Sequence, residues 1–141
     1  MERTSVVLPS ILSAVLVLVI EVVYVTLIAA QGGAQRSTVP YFVSAYLILM
    51  AVLVAIALIP GPRLDVWRVP LRAAAAGGLL VMGMFAAFSI GSVIVVAGLF
   101  VGFALTRTKS RPAQWWTGVA ASLASVGVLL AGFQLTEGLF F

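Results

Sequence analysis

The chain has 141 residues, 63% of them hydrophobic and 9% charged, with a formal net charge of +4. So little polar surface cannot coat a soluble globule, and the composition is that of a membrane protein. With neither Cys nor His in the chain, disulfides, thiolate nucleophiles, Cys-held clusters and the commonest metal ligand and general base are excluded.

The bases cluster between apolar runs, where they act as topology signals, so the charge does not point to a nucleic-acid partner. After a short polar lead, Val6 to Ala30 (VVLPSILSAVLVLVIEVVYVTLIAA) is an apolar run of spanning length. A secretory h-region is usually shorter and free of acids, so this run is expected to be a retained first span, with Ser5 as cap and Pro9 in the first turn. Gly32-Gly33 ends it, and Thr38 is expected to cap a second helix over 41–59 whose entry carries Tyr41, Phe42 and Tyr46 as an interfacial aromatic group. Pro60-Gly61-Pro62 stops that helix, and the connector through Arg72 holds three Arg, Asp65 and Trp67.

Ala73 to Thr106 is 34 residues without a charge. One helix of that length would reach about 50 Å, against a hydrocarbon core of about 30 Å. The break is expected at Phe88-Ser89-Ile90-Gly91-Ser92, giving short spans over 71–88 and 92–107 with Arg72 and Arg107 snorkelling at their ends. Ser110 and Pro112 open a fifth span over 114–135, with Trp115-Trp116 at the interface. Five spans with the N-terminus in the cytoplasm collect Arg3, Arg63, Arg68, Arg72, Arg107, Lys109 and Arg111 inside and leave Arg36 outside; four spans would divide the bases equally. The positive-inside rule favours five, with the C-terminus outside. The fold class is therefore all-α: one transmembrane domain of five helices in the cell membrane.

Small residues form candidate packing stripes: Gly98 and Gly102 on helix 4, and Gly118, Ser122, Ser125 and Gly132 on helix 5. Gly77, Gly78 and Gly83 of helix 3 invite the same reading, with Met82 and Met84 filling gaps. Glu21 is the sharper signal, because an acid deep in a span costs about 2.5 to 3.5 kcal/mol to insert and must be paired, protonated or wet. It lies on a polar stripe with Ser10, Ser13, Tyr24 and Gln31, so Glu21, Tyr24 and Ser13 form the candidate proton, cation or partner site, with the Tyr24 hydroxyl or a water satisfying the carboxyl. Gln134 and Glu137 are expected at the interface.

An enzyme is not expected: no second acid converges on Glu21, no Ser has a His base, and no phosphate loop occurs. Nor is any cofactor or metal site expected. A short chain with a glutamate in its first span resembles, at that one position, the small multidrug-resistance exporters, dimers that exchange protons for cationic drugs at the acid; five predicted spans depart from that family's four. The leading expectation is a small non-catalytic subunit or accessory protein of a larger membrane assembly, its partners being the bilayer and other membrane subunits or copies of itself. The alternative is a proton- or cation-coupled small transporter acting as a homo-oligomer around Glu21.

Overall fold

The apolar runs become five α-helices in a computed structural model that describes residues 4–32, 38–86, 91–109 and 111–137. They are α1 (Thr4–Ala30), α2 (Val39–Leu58), α3 (Arg68–Phe85), α4 (Gly91–Arg107) and α5 (Pro112–Glu137). By length and composition α1, α2, α3 and α5 can each cross a membrane, whereas α4, with 17 residues, is shorter. A helix of that length reaches only about 26 Å.

The most enclosed helix is α3, which packs against α2, α4 and α5, while α1 lies against α2 and α4. Its sequence explains the position: from Ala73 to Gly78 it has no side chain larger than a methyl group, so neighbours can approach closely from several sides. The core joins Val17 and Ile20 of α1, Leu47, Met50 and Val54 of α2, Leu79 and Met82 of α3, Ile94 and Val101 of α4 and Leu129 of α5. Outward faces are apolar as well, with Val22 of α1 66% and Leu123 of α5 68% exposed. A bundle that is hydrophobic inside and out is built for lipid.

Helix α3 begins three residues earlier than expected because Pro70 sits in its first turn, where no N–H is needed. The expected break at 88–92 falls mostly outside the described residues. On either side, α3 ends at Phe85 and α4 starts at Gly91, whose N–H donates to Ala86 O at 2.9 Å. A Cβ on Gly83 would fall 2.6 Å from Val95 Cγ2 and 2.9 Å from the carbonyl oxygen of Gly91. The two helices therefore meet at backbone distance near the end of α3 and the start of α4.

Several local expectations are corrected. Ser5 lies inside α1, which starts at Thr4. Pro9 is accordingly the sixth residue of the helix rather than part of its first turn. Thr38 makes no side-chain cap, since its φ of −84° and ψ of −10° are helical instead of extended. Its hydroxyl instead donates to Thr136 O of α5 at 3.4 Å. Tyr41 is exposed, but Tyr46 is buried at 3%. Met82 fills the core, whereas Met84 is 74% exposed. The Ser110 cap lies outside the described residues, as does the side chain of Glu137; Gln134 is exposed.

At one end of the bundle, Val6 and Val7 of α1, the α2–α3 connector and the α4–α5 connector line a single cavity. The start of α1 and these two connectors therefore share one end.

Candidate functional site

The polar face of α1 is turned into the bundle. Ser10, Ser13, Val17, Ile20 and Glu21 are all buried, at spacings of three and four that keep them on one stripe. Burial stops there: from Val22 to Ala30 no residue is buried, Tyr24 and Ile28 are intermediate and the rest are exposed. Glu21 thus marks the place where α1 leaves the packed core.

At 8% exposure the Glu21 carboxyl is almost wholly enclosed. Its Oε1 accepts a hydrogen bond from the Ser44 hydroxyl of α2, while Oε2 is buried and has no hydrogen-bond partner among the described residues. A carboxyl has about four lone-pair sites to satisfy when ionised, and one donor to place when protonated. Either way the group is half-satisfied among the described residues, and a buried polar atom without a partner is costly.

The sequence-predicted site residues do not all come together. Tyr24 stands one turn above Glu21, half-buried against the core, and the Oε1 donor is Ser44 instead. Ser13 is two turns below and serves another neighbour, donating to Ala97 O of α4 at 2.9 Å. Ser10 turns back on its own helix and donates to Val6 O at 2.9 Å, and Gln31 is exposed.

Two residues outside the predicted site make polar contacts between helices. Ser44 is the one Ser or Thr in the apolar run from Tyr41 to Ile59, a signal that marks a polar contact without naming its partner. Tyr46, grouped with the interfacial aromatics, donates across the core to the carbonyl oxygen of Ser125 at 3.0 Å and lies 2.9 Å from its hydroxyl. The Ser125 hydroxyl also reaches Met50 Sδ at 3.7 Å.

Of the small-residue stripes, Gly98 lies against Leu80, and Gly118 against Val69 and Ala73. Ser122 lies against Gly77, and Ser125 against Gly78; Gly132 lies against the Phe42 ring. These are contacts of α3 with α4 and α5, and of α2 with α5. Gly102 is different, with nothing within 4 Å of the place a Cβ would occupy.

No protein-family model, curated protein or solved structure matches the chain. The functional reading therefore rests on the geometry. Among the described residues no three His, Cys, Asp or Glu come together as a metal site. The ion pair present there, Arg68 with Asp65 at 2.8 Å, is in the α2–α3 connector and at the start of α3, far along the chain from Glu21.

Arg72 is the largest correction. It was expected to snorkel at a helix end, yet it is 0% exposed. Its Nη1 donates to the Thr108 hydroxyl at 2.7 Å, and Nη2 reaches Ala57 O at 3.5 Å. Ala57 and Thr108 belong to the C-terminal ends of α2 and α4, where unpaired carbonyls carry partial negative charge. The cation is held inside by two helix ends instead of reaching for water.

Proposed function

We propose that this chain is a small non-catalytic integral membrane protein, a subunit or accessory protein of a larger membrane assembly, crossing the cell membrane five times with its N-terminus in the cytoplasm and its C-terminus outside. The observation that carries the subunit reading is the half-satisfied carboxyl of Glu21, placed where α1 leaves the packed core. A polar donor on a neighbouring membrane helix, set against the exposed upper part of α1, would complete the hydrogen bonding of Oε2. Interhelical hydrogen bonds of this kind help associate helices when both sides are apolar. The orientation is supported by the shared end of the bundle, where Arg63, Arg68, Arg72, Arg107, Lys109 and Arg111 gather on the two connectors and adjoining helix ends.

The test is purification of the full chain in mild detergent with identification of what accompanies it. A stoichiometric membrane partner that is lost from Glu21→Leu, while Glu21→Gln retains it, supports the reading. Recovery of the same monodisperse single protein from wild type and both variants overturns it.

The same open oxygen favours a second reading, a proton- or cation-coupled transporter built as a homo-oligomer around Glu21. Here Glu21→Gln separates the two, since an amide cannot exchange a proton at neutral pH. A transporter loses coupled flux in reconstituted vesicles while assembling normally; an accessory subunit shows no flux to lose.

A further inference from the structure

We propose that the cavity at the connector end of the bundle binds a phosphate group, presented by an anionic lipid at the membrane surface. The cavity measures about 1020 Å³ and is lined by four bases, Arg68, Arg107, Lys109 and Arg111, against one acid, Asp65. That acid is already engaged by Arg68 at 2.8 Å. Among the described residues no acid pairs with Arg107, Lys109 or Arg111, all three of which are exposed. Arg107 lies with its guanidinium 5.2 Å from the centre of the Phe103 ring, which orients the cation without neutralising it. Guanidinium and ammonium groups lining one cavity from two helix ends and a connector suit phosphate oxygens, through forked hydrogen bonds from Arg and a point charge from Lys.

The remainder of the lining argues for a lipid over a soluble ion. Val6, Val7 and Leu58 supply an apolar wall continuous with the lower ends of α1 and α2. Just beyond Arg111, Trp115 is 46% and Trp116 79% exposed near the start of α5. Exposed tryptophans mark headgroup depth. Basic pockets between helices on the cytoplasmic side are where anionic headgroups bind, each base near the surface contributing about 1 kcal/mol. The site rests on the membrane-spanning orientation proposed above but not on the role of Glu21.

The test is binding of phosphatidylglycerol and phosphatidylcholine to the purified full chain by native mass spectrometry, with millimolar inorganic phosphate as a separate arm. Phosphatidylglycerol should bind in preference to phosphatidylcholine. The double variant Lys109→Gln/Arg111→Gln should weaken it by about 25-fold, about fivefold per base removed. Arg63→Gln removes the same kind of charge from the same connector end but outside the lining, and should cost no more than the about fivefold of one surface base, well short of the double variant. Asp65→Asn removes the lining acid without removing a base, and should tighten binding; it serves equally if the double variant does not fold. Inorganic phosphate displacing the lipid with the same dependence on Lys109 and Arg111 supports the phosphate site but assigns it to a soluble phosphate. Equal loss from Arg63→Gln, no preference between the two lipids, or unchanged affinity in Asp65→Asn overturns the proposal.

Discussion

The guanidinium of Arg72 donates to the Thr108 hydroxyl at 2.7 Å, and that hydroxyl in turn donates a hydrogen bond to Ala104 O at 2.8 Å. A base near the start of α3 is thereby wired into the last turn of α4 through one threonine, while its other arm reaches the end of α2. Burying a cation is tolerable only when its donors find acceptors, and two helix C-termini supply both acceptors and field.

Thr108→Val removes the relay while keeping the shape. A hydrogen bond to a charged group contributes about 1.5 to 3 kcal/mol, so a loss of that order is expected in unfolding measured in detergent. Arg72→Lys should be at least as damaging, because one ammonium cannot reproduce a fork that reaches Thr108 and Ala57 together. If Arg72→Lys unfolds with the wild-type midpoint, the buried bridge is not what ties these helix ends.

Ser44 and Glu21 are expected to behave as a coupled pair. Ser44→Ala strips the carboxyl of its donor and should cost about 1 to 3 kcal/mol, whereas the same change made on a Glu21→Leu background should be nearly neutral. A double-mutant cycle giving no coupling would show that the hydroxyl contributes nothing to holding α1 on α2.

Glycines on the helices should divide by what surrounds them. Gly83→Ala forces a methyl group against the Gly91 carbonyl and the Val95 backbone, and should destabilise by about 1 to 3 kcal/mol. Gly102→Ala meets nothing within 4 Å and should stay within about 0.5 kcal/mol. Thermal unfolding of the two variants side by side checks the α3–α4 contact; equal effects would argue against it.

Topology has its own test. A reporter fused after Phe141 should be active only outside the cytoplasm, and a cysteine introduced at Arg63 should react with impermeant reagents only once the membrane is opened. A cytoplasmic C-terminal reporter would mean an even number of spans, and α4, the shortest apolar helix, would be the one that does not cross.

How much was legible differs from residue to residue. Four apolar runs are legible directly, and the third, too long for one span, is divided in two by length and by the Ser and Gly near its middle; proline and glycine punctuate the ends by local chemistry, and the boundaries differ by a few residues where Pro70 sits inside a helix start. Glu21 was legible as the odd acid on a buried stripe, since periodicity alone puts it beside Ser13 and Val17. Its partner was not, because Ser44 is chosen by the register between α1 and α2, which no local pattern encodes. The partner of Ser13 was not legible for the same reason: it shares a face with Glu21 but donates to Ala97 O of α4.

By itself the sequence determined that the chain is helical and apolar, where each helix begins and ends to within a few residues, and that one carboxyl must be accommodated inside. These follow from hydrophobicity, backbone chemistry and charge, which act within a few residues. Only the tertiary structure decided that Arg72 is buried instead of snorkelling, that Tyr46 belongs to the core, that Gly102 faces open space, and that one oxygen of Glu21 is taken by Ser44 while the other is left open. Those outcomes depend on which helix faces meet and at what depth, and that is set by the close packing of all five helices together.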